Sequence, residues 1–185
     1  PEITHATIEH IAEGGKPDPA TALALAQTSA EYRFFHWHLE FPQIFRVAEA
    51  ALGEGGPGWR GGFSCVLGNP PWEQVQFDAQ EFFAALDPEI ANAANHAARQ
   101  KMIKVLADDN PGLYGQYQFA QRSSDGLKHF VHASERFPLT AYGRLNTYSL
   151  FAEHCRTIVA EHGTAGVIVP TGIATDSFNQ HFFKD

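Results

Sequence analysis

The sequence is poor in cysteine, in positive charge and in long apolar runs. Its 185 residues hold two cysteines, Cys65 and Cys155, which are too few for a disulfide framework, and each lies in an apolar stretch that favours a buried thiol. Thirteen Lys and Arg against 21 Asp and Glu leave a net charge of −8, which argues against a chain that is itself the main electrostatic platform for nucleic acid. No apolar run is long enough to cross a bilayer and no signal peptide opens the chain, so we expect a cytoplasmic location and no membrane partner.

Several common ligand and catalytic motifs are also missing. The sequence has no Gly-x-Ser-x-Gly nucleophile elbow and no Gly-Lys-Ser/Thr phosphate loop. His129 and His132 have helical i, i+3 spacing, but no Cys or carboxylate pair completes a zinc set nearby, so no metal site is predicted. The literal match Gly53-x-Gly55-x-x-Gly58 contains Pro57 and precedes a strand, whereas a dinucleotide fingerprint follows a strand and opens a helix.

The first third of the chain is predicted to be mainly helical. Residues 1–30 have helical patterning that is interrupted at 13–19, where two Gly and two Pro forbid a continuous helix, and Asp18 is the expected N-cap of the second helix. The aromatic segment 32–42 ends at a proline and predicts a short strand or extended stretch, and a short helix is expected near 43–52.

The rest of the chain has an α/β pattern. Two short apolar runs, at 63–68 and 165–170, predict strands that are buried on both faces. Residues 78–132 between them are mostly helical, and a further helix over 142–162 is closed by Gly163 as a left-handed helix stop. This order predicts an α/β crossover, and therefore a mostly parallel sheet with covering helices.

The strongest local signal is Asn69-Pro70-Pro71-Trp72, which directly follows the first predicted strand. Ligands of open α/β sheets bind beyond the carboxyl ends of the strands. The Asn69 side-chain oxygen and the rigidly held Pro70 carbonyl are two acceptors that can hold both hydrogens of an amino group and present its lone pair to an electrophile. Trp72 offers a flat face to a purine, which must then be flipped out or single-stranded. The alternative is a plain strand end, in which Trp72 caps the core.

The run from Gly61 to Trp72, GGFSCVLGNPPW, resembles the catalytic motif of amino-group DNA methyltransferases. The resemblance is strongest to the N6-adenine enzymes among the large restriction-modification and phage-defence methylases. Two further stretches are similar to that family: the aromatic segment 35–42, and the Asn-Thr-Tyr-Ser-Leu-Phe sequence at 146–151 with the helix and strand that follow it. The resemblance spans about residues 34–185.

The resemblance implies a fold of the α/β class. The expected fold is a Rossmann-like S-adenosylmethionine-dependent methyltransferase domain, incomplete because residues 1–185 hold only its catalytic-strand half. Within it we expect an N-terminal helical part (1–30), an aromatic segment with the catalytic strand (34–72), a helical insertion (73–145) and a helix with the following strand (146–185). The Gly-rich cofactor turn of the family is missing from these residues, so we expect this chain alone to be inactive and to bind the cofactor weakly.

The resemblance also implies residue roles in methyl transfer to N6 of adenine in DNA, within a restriction-modification or phage-defence system. Asn69 and the Pro70 carbonyl would bind the adenine amino group, Pro71 completes the motif, and Trp72 would stack on the flipped base. The main DNA-recognition surface is expected to lie outside this chain.

Two aromatic residues are the cofactor candidates. Phe151 matches the aromatic that borders the adenine of S-adenosylmethionine in such enzymes, with Tyr148 nearby, although spacing alone favours core packing for both. The same Asn-Pro-Pro-aromatic motif also serves glutamine methylation in protein-release factors and methylation of RNA amino groups. A non-catalytic interaction module is the alternative from another class, which the negative charge and the missing cofactor motif favour.

Overall fold

A computed structural model of the chain describes residues 3–47 and 58–184. The chain divides into two compact units, Pro1–Arg46 and Val47–Asp185. Most of the predicted loop 53–58 and most of the helix expected near 43–52 lie outside the described residues. The described part of that helix, 43–47, is not helical.

The first unit contains the two predicted N-terminal helices. Helix α1 spans His5–Ala12 and helix α2 spans Pro19–Tyr32. The Asp18 carboxylate accepts hydrogen bonds from the backbone N–H groups of Ala20 and Thr21, so the predicted N-cap is confirmed.

The middle of the aromatic segment is helical where we expected a short strand or extended stretch. Helix α3 spans Trp37–Glu40, and the Phe41 N–H donates to the Trp37 carbonyl at 2.8 Å. The helical turn brings the centroid of the Trp37 ring to 5.9 Å from that of Phe41. The Trp37 centroid also lies 5.8 Å from that of the Phe45 ring. The strand prediction was wrong because a helical turn lets aromatic side chains four residues apart stack on each other. The aromatic run is too short for its sequence to show whether the period is that of a helix or of a strand.

The second unit contains a two-stranded parallel sheet. Strand β1 spans Phe63–Gly68 and strand β2 spans Val159–Val167, and the register joins Cys65 to Thr164 and Gly68 to Val167. The predicted parallel crossover is confirmed.

The boundary before β2 differs from the prediction. Helix α8 spans only Thr147–Ile158, and β2 follows it directly, six residues before the predicted strand start. Gly163 is not a left-handed helix stop, because it lies within the strand without a positive φ. A Cβ at Gly163 would lie 2.7 Å from the Phe63 carbonyl oxygen, so the glycine is needed for close approach to β1.

Neither strand is buried on both faces, contrary to the prediction. Leu67 on β1 is 78% exposed, and Cys65 is exposed while Cys155 on α8 is buried as expected. Helix α8 contacts both strands. The buried clusters of the second unit are built mainly from helices, so among the described residues the sheet lacks the covering layers that bury a parallel sheet.

The segment between the strands is helical, as predicted. Its helices are α4 (Ala79–Phe83), α5 (Pro88–Ala91), α6 (His96–Asp109) and α7 (Pro111–Ala133). Asp87 caps α5 and Asn110 caps α7, each with a proline at the first helical position. The helices share a core of buried side chains: Phe83, Ile90, Ala91, Ile103, Leu106 and Tyr117.

After β2 the described chain ends in three short helices. These are α9 (Gly172–Thr175), a 3-10 helix (Ser177–Asn179) and α10 (Gln180–Lys184). Across the residues that the structure describes, none of the helices combines the length and the apolar character needed to cross a membrane.

Candidate active site

The motif Asn69-Pro70-Pro71-Trp72 lies at the edge where both parallel strands end. The Ile168 N–H, just beyond β2, donates to the Gly68 carbonyl at 3.0 Å and extends the pairing by one step. The Trp72 indole Nε1–H then donates to the Ile168 carbonyl at 3.3 Å. The end of the second strand therefore holds the motif that follows the first.

The two predicted acceptors of the motif are free. Asn69 is exposed and Pro70 is half-buried. Among residues 3–47 and 58–184, neither the Asn69 side chain nor the Pro70 carbonyl has a hydrogen-bond partner. Both acceptors are therefore available to a ligand that carries an N–H pair.

Trp72 is anchored at its edge and open elsewhere. Its side chain is 55% exposed although its indole N–H is hydrogen-bonded. This exposure does not fit the alternative in which Trp72 caps the core, and it leaves aromatic surface on which a planar ligand can stack.

A threonine from α8 joins the motif to the first turn of that helix. The Thr147 hydroxyl lies 2.7 Å from the Pro71 carbonyl oxygen and accepts a hydrogen bond from the Glu73 N–H at 3.0 Å. The Thr147 N–H also donates to the Glu73 carbonyl at 2.9 Å.

The pairing continues one step along both segments. The Val75 N–H donates to the Leu145 carbonyl at 3.0 Å, and Gln74 forms an isolated antiparallel bridge with Asn146. We call these paired segments, 71–75 and 145–147, the motif junction. The junction brings α8 to the motif although the helical insertion separates them in sequence.

The two predicted cofactor residues differ in their surroundings. Tyr148 is only 6% exposed and packs with Ala152 and Ile173, and its hydroxyl lies 3.4 Å from an Asp176 carboxylate oxygen. Phe151, one turn further on, is 44% exposed. Tyr148 is thus a core residue of the unit, whereas Phe151 retains surface that a ligand can contact.

Comparison with known protein families decides the identity. Residues 1–105 match the family model "Eco57I restriction-modification methylase", and the match covers more than half of the chain. The chain belongs to this methylase family. No curated protein and no solved structure matches it.

Membership of the Eco57I methylase family confirms the resemblance to restriction-modification methylases and supports a methyltransferase. The matched residues run from the N-terminal helices through the 69–72 motif and most of α6. They stop before the junction residues 145–147. The contacts of α8 with the motif therefore come from the structure alone.

Two side chains that organise the candidate site were not singled out in the sequence. Thr147 carries the junction, but no local pattern distinguishes it from any other helix-start threonine. Buried Glu153 accepts hydrogen bonds from the Leu139 and Thr140 N–H groups, each at 2.9 Å, and from the Thr140 hydroxyl. Its carboxylate fixes the end of the insertion to α8. The contacts of Thr147 and those of Glu153 are both made with residues that are distant in sequence.

Within the described ranges, no three or more His, Cys, Asp and Glu side chains are grouped so that they could hold a metal ion. His132, which the sequence pairs with His129, instead bonds the Ala141 carbonyl through Nδ1 at 3.0 Å.

Proposed function

We propose that the chain is the catalytic-strand half of a Rossmann-like methyltransferase that transfers a methyl group from S-adenosylmethionine to N6 of adenine in DNA. The observation that carries the proposal is the pair of free acceptors, Asn69 and the Pro70 carbonyl, beside the exposed ring of Trp72. Family membership supports the reaction class, and the motif chemistry supports an amino group as the acceptor of the methyl group.

The two acceptors would orient the amino group of the target base. Each takes one amino hydrogen, which draws the nitrogen away from conjugation with the ring and exposes its lone pair. As the nitrogen forms its new bond it becomes more positive, so its hydrogens bind the oxygens of Asn69 and Pro70 more tightly. Acceptors that strengthen their hold as charge develops lower the barrier more than they lower the energy of the bound substrate.

Trp72 would hold the base against these acceptors. An adenine inside a duplex cannot reach a pocket at a sheet edge, so the base must be flipped out, at a cost of a few kcal/mol. Stacking on an aromatic ring returns about 1–3 kcal/mol. Anchoring of the indole N–H by Ile168 fixes the ring before the base arrives.

Phe151 is the residue of this chain that suits the adenine ring of S-adenosylmethionine. Its 44% exposure leaves aromatic surface for stacking, and buried Tyr148 would support it from the core. S-adenosylmethionine would supply the methyl carbon: the N–C bond would form as the bond from that carbon to the sulfonium sulfur breaks, S-adenosylhomocysteine would leave, and the methylated nitrogen would lose one of its protons to water. The remaining cofactor contacts and the main DNA-recognition surface belong outside these residues.

The test uses the complete methylase and three variants of the motif. Asn69→Ala removes one acceptor and should raise the barrier to methyl transfer by about 3–4 kcal/mol, a fall in rate of roughly 150- to 900-fold, with cofactor binding retained. Trp72→Ala should lose roughly 1–3 kcal/mol of base binding, and Trp72→Phe less, because Phe keeps a stacking face. The matched control is Asn92→Ala, which removes an exposed asparagine at the end of α5 whose amide donates to the Pro88 carbonyl in its own turn.

Radioactive methyl incorporation is measured on duplex DNA, on RNA and on a glutamine peptide in parallel. Transfer to adenine that survives Asn69→Ala at the wild-type rate would overturn the proposed roles. Transfer to RNA or to glutamine, but not to DNA, would favour the alternative substrates of the same motif.

A further inference from the structure

A cavity of about 260 Å³ lies next to the motif junction. Three of its lining side chains carry basic groups, Lys128 and His132 from α7 and Arg144 from the turn before α8, and Gln76 adds an amide. Among the described residues, no carboxylate lines the cavity. In a chain of net charge −8, a concave site lined by basic groups without an acid is the exception.

The basic groups of the cavity are largely uncommitted. The Arg144 guanidinium has no hydrogen-bond or ion-pair partner within the described ranges 3–47 and 58–184. Lys128 pairs with Asp125 at 3.7 Å between solvent-accessible side chains, and such pairs contribute little. Because a carbonyl only accepts, His132 Nδ1 donates to Ala141, so its Nε2 is an acceptor in the neutral ring and donates to a further partner only when the ring is protonated.

A second cavity of similar volume contains a cation whose donors are already hydrogen-bonded within the protein. It is lined by Arg99, but the guanidinium of Arg99 donates to the Ile90 carbonyl at 3.2 Å, the Ala91 carbonyl at 2.9 Å and the Gln80 side chain at 3.1 Å. Those bonds hold α6 to α5. The cavity beside the junction differs because, among the described residues, Lys128 and Arg144 make no such side-chain hydrogen bonds between helices.

The walls of the basic cavity are fixed in place. Lys128 and His132 are one helical turn apart on α7, where side chains share a face. Gly143 has a φ of +58°, and a Cβ there would overlap the ring of Phe178, so the turn that presents Arg144 is held closely. Val75 and Leu145, which also line the cavity, are hydrogen-bonded to each other across the junction.

The cavity is also close to the proposed base-binding motif. Gln76 follows Trp72 by four residues, so their Cα atoms are at most about 14 Å apart. Successive phosphates on one strand of a duplex are about 3.4 Å apart along the axis, so a phosphate within a few nucleotides of the flipped base can reach this distance.

We infer that this cavity binds a backbone phosphate of the DNA strand near the flipped adenine, through Lys128 and Arg144. The inference rests on the proposed function for the identity of the strand. Its ligand is a phosphodiester, for which several converging N–H donors with no acid among them are the appropriate chemistry. The contact would hold the strand in register with the motif without reading its sequence.

The test measures binding of the complete methylase to random-sequence duplex DNA at about 50 to 200 mM salt. The double variant Lys128→Gln/Arg144→Gln should bind roughly tenfold more weakly at the lower salt. Its slope of log affinity against log salt should be shallower by about 1. The matched control is Lys101→Gln/Lys104→Gln, which removes the same charge from exposed positions on α6 outside the cavity.

The outcomes separate this inference from the proposed function. A shallower slope in the cavity variant and not in the control supports the phosphate site, and an unchanged melting temperature excludes unfolding as its cause. Equal slopes in both variants, or binding of inorganic phosphate without any change in DNA binding, overturn it. Because no methyl transfer is measured, failure of the Asn69 experiment leaves this result intact, and an unchanged slope leaves the Asn69 result intact.

Discussion

The motif junction predicts that Thr147 acts on methyl transfer without touching the substrate. Thr147→Val keeps the branched shape of the side chain but removes the hydroxyl that bonds the Pro71 carbonyl and the Glu73 N–H. The backbone bond from the Thr147 N–H to Glu73 remains. We therefore expect the junction to loosen on the motif side while α8 itself stays folded.

The size of the effect follows from these contacts. Two hydrogen bonds of ordinary net strength contribute about 1–3 kcal/mol together. In a domain of this size, each kcal/mol corresponds to a fall in Tm of about 2–4 °C. A displacement of about 1 Å in the acceptors of the amino group costs about 100-fold in rate, so kcat should fall by about two orders of magnitude while Tm falls by about 2–12 °C.

The assay compares kcat for DNA methylation with Tm in the complete methylase. Thr157→Val on the same helix is the matched control, because its hydroxyl bonds the Glu153 carbonyl one turn back, at 3.1 Å, and not the motif. Thr147→Ser should restore most of the rate. A Thr147→Val enzyme with wild-type kcat, or one that loses no more rate than Thr157→Val, would refute the positioning role.

Two further predictions concern buried groups on α8. Burial raises the pKa of the Cys155 thiol above its ordinary value of 9.0, so iodoacetamide should label exposed Cys65 in the native chain and reach Cys155 only as the chain unfolds. Equal labelling rates would contradict the structure, and Cys65→Ser should leave little native labelling. Burial, and to a lesser extent the charge of Arg136, lowers the pKa of His154 below its ordinary value of 6.5. The contribution of His154 to the free energy of unfolding should therefore be complete above pH 6.5. It should be lost as the pH falls through the lowered pKa, because the unfolded chain binds the proton more readily. His154→Gln should make the free energy of unfolding less dependent on pH in this range. A variant whose free energy of unfolding has the same pH profile as the wild type would contradict the prediction.

The sequence alone predicted the N-cap of α2 and the motif that follows the first strand. Asp18 is a cap whose hydrogen bonds reach residues two and three positions away, so the signal and its consequence lie in the same short stretch. The strand before the motif and the parallel crossover could also be predicted from the sequence, because they follow from apolar runs and the spacing between them. The methylase resemblance depends on such a local motif and agrees with the family match.

The tertiary structure decided the burial of the strands and the boundary between α8 and β2. Whether Leu67 or Cys65 is covered depends on the layers that pack against the sheet, which a strand does not encode. The change from helix to strand at Val159 depends on pairing with Phe63, and Gly163 allows that approach. A glycine read from sequence marks a special position without revealing which neighbour requires it.

The tertiary structure alone also assembled the candidate site. The Thr147 hydroxyl and the Pro71 carbonyl are 76 positions apart, and nothing near either residue specifies the other as its partner. The same holds for Gln76, Lys128 and Arg144, which line one cavity from three separate segments. Local sequence patterns report bonds made within a few residues, whereas contacts across the insertion exist only once the helices between the segments have packed.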